Sequence, residues 1–268
     1  VPERTSGADE ISASALTPPD LEVIAIEAAG EGARVIRAAA GDLGTVRTKS
    51  TPTDPVTSLD LASERAIRAV IERRTPNASV VGEEDGVVAG SSDVGWVIDP
   101  IDGTVNLTYD LPVMSVSVAA TLGGQVVAGS VVDVLRGDVY SANRGGGARR
   151  GGSSISASEV HEIADSLVGT GFAYTPAGRA DEAVYLHRVL PAARDIRCFG
   201  SAALNLCWVA CGRLDGFYQR NMQHWDYAAG ALVAAEAGAR LEWPTAANGR
   251  LMVASGPSIH EALRRLVA

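Results

Sequence analysis

A chain of 268 residues, 46% apolar and 21% charged, is long enough for one large or two small domains around a sizeable core. Its formal net charge of −9 argues against generic nucleic-acid binding, which needs a basic face. No apolar run is long enough to span a bilayer, and the three cysteines, an odd number, fit a reducing, cytoplasmic setting rather than a disulfide framework.

Residues 1–17 read as a polar, disordered N-terminal tail without the apolar centre of a signal peptide. The stretch PPDLEVIAIEAAGEGARVIRAAAG, from Pro18 to Gly41, predicts a helix: proline at its start, acids in its first turn, apolar residues at helical spacing and glycine at its end. A second helix is predicted over residues 60–76, DLASERAIRAVIERRTP, with Asp60 near its first turn. The turn-rich connection between the two carries Lys49, the only lysine in a chain that otherwise uses arginine. Residues 78–85, ASVVGEED, predict a short strand running into Gly82, Glu83 and Glu84. After an apolar run ending in Asp99 the period changes to that of strands. Residues 113–122, 125–134 and 138–144 predict an antiparallel meander, and GGGARRGG at 145–152 a hairpin or edge loop.

Later in the chain, strands are predicted at 166–170, 216–219, 240–243 and 251–255, and helices at 181–190, 201–211, 226–238 and 258–267. Cys207 and Cys211, one helical turn apart in an apolar segment, read as core cysteines. The pattern is that of a mixed α/β chain, one domain over 18–268 with a soft division near residue 150.

The chemistry concentrates at acids that stand where apolar segments end: Glu83 and Glu84 after SVV, Asp99 and Asp102 after GWVI, and Asp226 after Trp225. Each has a bland reading as a turn, cap or solvated charge. Together they suggest oxygen ligands for a hard divalent cation, Mg²⁺ above all. The spacing D-x-x-D-G-T differs from the D-x-D-G-T of aspartyl phosphatases of the haloacid dehalogenase type, whose two acids stand two residues apart.

GEED at 82–85, WVIDPIDGTVN at 96–106 and HWDYAAGALVAAEAG at 224–238 resemble, in order and spacing, the three signatures of the inositol monophosphatase family; VTSLD ending at Asp60 and FGSAALN at 199–205 also resemble family segments. The resemblance implies a layered αβαβα sandwich of the inositol monophosphatase and fructose-1,6-bisphosphatase type. It implies a lithium-sensitive phosphatase, commonly a homodimer, with two or three Mg²⁺ ions per site. It places Glu83, Asp99, Asp102, Asp226 and the Ile101 carbonyl around the metals, and Asp60, Thr104 and Glu83 on the attacking water. Pro100 is expected to fix a turn on which Asp99 and Asp102 converge. Gly103 and Thr104, opening a short helix, are expected to bind phosphate oxygens.

Glu83, Ile101, Asp102 and Asp226 are also expected to face the substrate. Gly200, Ser201, Ala202 and Gln219 are expected to line the same side; Gln219 stands where animal relatives carry an acid, which weakens the transfer of their selectivity. Lys49 is expected on a loop near the site, and Arg220 as a solvated charge. The implied activity is hydrolysis of a small polyol phosphate, inositol monophosphate first. Histidinol phosphate, fructose 1,6-bisphosphate and a non-catalytic protein-binding role in transcription are the alternatives.

Overall fold

The computed structural model describes residues 16–39, 46–48, 55–247 and 249–268. Residues 1–15 and Lys49 lie outside the described residues, and so do the readings made of them.

The first half runs α1 (Pro18–Ala38), β1 (Val46–Thr48), β2 (Pro55–Thr57), α2 (Ser58–Arg74), β3 (Ser79–Gly82), β4 (Val87–Val88), β5 (Val94–Asp102) and α3 (Thr104–Thr108). The predicted meander follows as β6 (Ser115–Leu122), β7 (Gln125–Asp133) and β8 (Val139–Asn143), and the glycine-rich stretch forms the hairpin β9 (Ala148–Arg150) and β10 (Ser153–Ser154). Then come β11 (Leu167–Thr170), α4 (Pro176–Val189), β12 (Asp195–Cys198), α5 (Ala202–Ala210), β13 (Gly216–Gln219), α6 (His224–Glu236), β14 (Arg240–Glu242), β15 (Met252–Ser255) and α7 (His260–Val267).

Two sheets carry the architecture. One has eight strands in the order β10-β9-β8-β7-β6-β5-β3-β4, the other five in the order β12-β11-β13-β15-β14. Helices α1 and α2 cover one face of the large sheet, α5 and α6 fill the space between the sheets, and α4 and α7 cover the outer face of the small one. The result is the layered αβαβα sandwich. Period-two alternation drives it: on β5 and β6, Val94, Trp96, Ile98, Val116 and Val118 point toward α1 and α2, while Val97 and Ala119 point toward α5 and α6. Small residues let α1 and α2 approach closely. A Cβ on Gly32 would lie 2.8 Å from Ser63 Oγ, so an interior helical glycine is retained there despite its low propensity.

Helix α4 begins at Pro176, five residues before the predicted start, because Thr175 caps it by accepting from Gly178 N–H at 3.1 Å. Helix α6 begins at His224, where Gln223 and Asp226 form a capping box. The strands β1, β2, β4 and β12 went unpredicted; they have two to four residues each, too few for a period to show.

Candidate active site

Asp99 and Asp102 are three residues apart, and on a regular strand that spacing puts side chains on opposite faces. Strand β5 solves this with a bulge rather than the expected turn. Asp99 pairs with Ser117 and Asp102 with Ser115, so three steps along β5 oppose two along β6. The extra residue turns both carboxylates to the same side. Pro100 falls inside the bulge, where its missing N–H leaves no ladder bond unmade. Ser63 Oγ donates to the Pro100 carbonyl at 2.9 Å, and Ile101 N–H donates to Asp99 Oδ1 at 3.1 Å.

Glu83 reaches the same place through the parallel ladder. Gly82 pairs with Ile98, and Glu83 N–H donates to the Ile98 carbonyl at 3.3 Å, which sets Glu83 beside Asp99 on the neighbouring strand. Asp226 arrives from the first turn of α6, its Oδ2 accepting from Gln223 N–H at 2.6 Å. Asp102 sits at the N-terminus of α5. Its carboxylate accepts from Ser201 Oγ at 2.6 Å, Ala203 N–H at 2.7 Å and Ala202 N–H at 3.1 Å.

These acids act on one another. Burial pushes the Asp99 carboxyl well above the ordinary carboxylate range, and the charges of Glu83, Asp102 and Asp226 push the same way. Asp102 is pushed up to about 6, by burial first; the bonds from Ser201, Ala203 and Ala202 hold it down, and Glu83 adds to the rise. Among the described residues no three acidic, histidine or cysteine side chains stand gathered as a ready cation cage. The donor chemistry nevertheless fits one. Four carboxylates and the Ile101 carbonyl are hard oxygen donors, and the mutual repulsion at Asp99 is what a divalent cation would relieve.

Beside the carboxylates lies a second device. Asp60, fully buried at the third position of α2, accepts from Thr57 N–H at 2.8 Å and Thr57 Oγ1 at 2.7 Å through Oδ2. Its Oδ1 stands 3.0 Å from Thr104 Oγ1, which is also 3.0 Å from the Ile101 carbonyl. One hydroxyl proton serves one of these acceptors at a time. When Asp60 takes it, the Thr104 oxygen keeps its lone pairs for another donor.

Gly103 opens α3 at a φ of 110°, and a Cβ there would lie 3.0 Å from the Val113 carbonyl and 3.3 Å from that of Gly200. Glycine is required on both counts. Asn106 Nδ2 donates to the carbonyls of Val113 at 2.7 Å and Phe199 at 2.6 Å, fastening the segment before Gly200, Ser201 and Ala202 to the aspartate motif. Gln219 ends β13 in the other sheet, its side chain over Gly171. Arg220 differs from the expected solvated charge: it is half-buried, donates to the Gly249 carbonyl at 3.2 Å and to the Tyr185 hydroxyl, and stands over the Tyr185 ring. Cys207 is buried in the core between the sheets, and Cys211 packs against it. A cavity of about 460 Å³ between α2 and the β3–β4 hairpin is lined by none of these residues.

Sequence reasoning passed over Ser63, Glu64, Arg68, Asn106 and Ser115. Only Asn106 stood inside a recognised motif. Glu64 and Arg68 follow Asp60 at helical spacing on α2, a signal that marks a shared face but not what the face meets.

The sequence profile of the inositol monophosphatase family matches residues 19–268. The chain is 48% identical over 241 residues to the inositol-1-monophosphatase SuhB of Mycobacterium tuberculosis, across 85% of this chain and 83% of that one. It is 37% identical over 220 residues to the Nus factor SuhB of Pasteurella multocida, across 80% and 82%. The solved structure of the extragenic suppressor protein suhB from Bartonella henselae matches with a TM-score of 0.86 at 29% identity, over 92% of this chain and 98% of that one. The likeness spans the layers and all three segments that meet at the bulged end of β5. The chain belongs to the inositol monophosphatase family.

Proposed function

We propose that the chain is a Mg²⁺-dependent phosphatase that hydrolyses a small polyol phosphate monoester, inositol monophosphate first, to the polyol and inorganic phosphate. The observation that carries this reading is the Thr104–Asp60 pair, 3.0 Å between oxygens, beside acids whose charges act on Asp99. Glu83, Asp99, Asp102, Asp226 and the Ile101 carbonyl would hold the cation. Bound there, Mg²⁺ supplies positive charge that lowers the pKa of water and offsets charge on the transferring phosphoryl group.

The rest belongs to the chain. Asp60, oriented by the two bonds its Oδ2 accepts from Thr57, accepts the Thr104 hydroxyl proton in a hydrogen bond through Oδ1. The Thr104 oxygen then accepts a hydrogen bond from the attacking water, and Glu83 orients the same water. The main-chain N–H groups of Gly103 and Thr104 receive phosphate oxygens, which the missing Cβ of Gly103 allows to come close. Water oxygen bonds to phosphorus as the bond to the polyol oxygen breaks; of the two water protons one stays with the inorganic phosphate and the other is, net, the proton that the leaving polyol oxygen takes up. No phosphoenzyme forms. Gly200, Ser201, Ala202, Gln219 and Asp226 contact the polyol. Gln219 accepts from a hydroxyl without adding charge.

We read residues 18–268 as one phosphatase domain, its N-terminal half holding metal and its C-terminal half the polyol, working as a cytoplasmic homodimer sensitive to lithium. No helix among the described residues is long and apolar enough to cross a membrane. The test is phosphate release from inositol 1-phosphate, histidinol phosphate and fructose 1,6-bisphosphate, each with and without Mg²⁺. The reading predicts Mg²⁺-dependent release, fastest from the first. A second reading, a role in transcription through protein contacts, draws on the Nus factor name of the Pasteurella relative. A folded chain that releases no phosphate from the panel would leave that second reading standing.

A further inference from the structure

Glu64 is fully buried, and among the described residues its hydrogen bonds go to Arg68 and to the main chain of Glu84 and Asp85, not to Asp60, Asp99, Asp102 or Asp226. Its carboxylate accepts from the main-chain N–H groups of Glu84, at 3.0 Å to Oε2, and Asp85, at 3.1 Å to Oε1. Arg68, one turn further along α2, donates from Nε to Glu64 Oε1 at 2.8 Å and from its other arm to the Gly86 carbonyl at 2.9 Å. The pair therefore grips the loop 82–86 from beneath, at both its N–H and its carbonyl groups. Gly82 N–H closes the same loop on the Gly86 carbonyl at 3.0 Å. The fit leaves no spare room: a Cβ on Gly82 would lie 2.2 Å from Glu64 Oε1 and 2.7 Å from Arg68 Nη2. The glycine of the GEED segment is thus dictated by Glu64, since Gly82 does not adopt a positive φ.

We propose that Glu64, held by Arg68, is a positioning residue that fixes the 82–86 loop so that Glu83 stands against Asp99. For its link to cation binding this rests on the phosphatase reading above. Three features favour positioning over support of the fold alone. A buried carboxylate–guanidinium pair adds little stability over an apolar pair of the same volume, so stability does not explain its presence. Every backbone group it binds lies within three residues after Glu83. On the loop's other flank β4 is a two-residue edge strand with Val87 and Val88 exposed, a weak restraint by itself. Helix α2 thereby acts as one platform: Asp60 holds Thr104, Ser63 holds the Pro100 carbonyl, and Glu64 with Arg68 holds the loop behind Glu83.

The experiment compares wild type with Glu64→Gln, Arg68→Met and, as a control for plain destabilisation, Ile67→Val in the core of the same helix. Two readouts are taken: exchange rates of the Glu84 and Asp85 amides in metal-free protein, and Mg²⁺ affinity by calorimetry. Glu64→Gln should speed exchange of both amides and raise the Mg²⁺ dissociation constant about tenfold, the scale at which groups supporting metal ligands act. The KM for inositol 1-phosphate at saturating Mg²⁺ should stay within about twofold. Ile67→Val should lower Tm and move none of these. If Glu64→Gln fails to fold, Arg68→Met carries the same expectations. Wild-type exchange and Mg²⁺ affinity in the Glu64 or Arg68 variant overturns the proposal, as does equal weakening of Mg²⁺ binding by Ile67→Val. Wild-type protein that takes up no Mg²⁺ overturns the phosphatase reading instead, and the amide exchange rates then decide the tether alone.

Discussion

Without a cation, Asp102 should make the folded protein less stable as pH rises, and the size follows from its surroundings. Its carboxyl titrates near 3.8 when unperturbed and at about 6 in the fold. The folded state therefore holds the proton more tightly than the unfolded chain between those values. The stabilisation is fully present below pH 3.8 and is lost as pH rises through 6. At about 1.36 kcal/mol per pH unit the total is on the order of 3 kcal/mol, of which about 2 is lost between pH 4 and pH 8. Asp99, raised by burial and by the same neighbours, adds a term of the same sign.

Other groups titrate too, so the assay is a difference. Urea unfolding of wild type and Asp102→Asn is followed in chelator from pH 4 to pH 8. The asparagine amide opposes the donors on Ser201, Ala202 and Ala203, but that cost is constant with pH. Wild type should lose about 2 kcal/mol relative to the variant across the range, or about 4–8 °C in Tm for a domain of this size. Saturating Mg²⁺ should flatten the wild-type slope, because a cation competes with the proton for the same oxygens. A difference that does not change with pH, or that grows in favour of wild type as pH rises, would refute the electrostatic account.

Thr104→Ala or Asp60→Asn should lower kcat by about 10² or more while calorimetric Mg²⁺ affinity stays near wild type, since the pair handles a proton rather than the cation. Asn106→Ala leaves the half-buried carbonyls of Val113 and Phe199 without their side-chain donor and should cost about 1 kcal/mol in urea unfolding. It should also raise KM for the polyol phosphate, because the Gly200–Ala202 segment loses its fastening. Gly103→Ala should reduce turnover at unchanged Mg²⁺ affinity, the added methyl meeting the Val113 carbonyl at a φ that favours glycine.

Much of this site could be read from sequence because its acids stand at the ends of apolar runs, where the strand and helix periods break off. The meeting of Glu83 with Asp99 was legible only as a resemblance. Its physical cause is the parallel pairing of β3 with β5, a non-local register that no local pattern encodes. The bulge was read as a turn, since proline beside aspartate and glycine signals both. Glu64 and Arg68 went unread because a Glu–Arg pair four residues apart looks the same on any helix. Glu261 and Arg265 on α7 have that spacing too and lie at the surface. What separates the two pairs is the loop that folds over Glu64, which tertiary packing alone supplies. Short strands such as β12 and the early start of α4 were lost for a related reason: caps and neighbours decide them, not periodicity.

The central claim is that the carboxylates gathered by the β5 bulge hold the cation that phosphate release requires. The measurement that meets it most directly is the rate of phosphate release from inositol 1-phosphate by Asp99→Asn beside wild type, at saturating Mg²⁺, with Mg²⁺ uptake by both followed in calorimetry. The account predicts Mg²⁺-dependent turnover by wild type, and a folded variant with weakened Mg²⁺ uptake whose rate falls by at least about 10², the range in which a lost catalytic group shows. A variant that releases phosphate at the wild-type rate and binds Mg²⁺ as wild type does would contradict it.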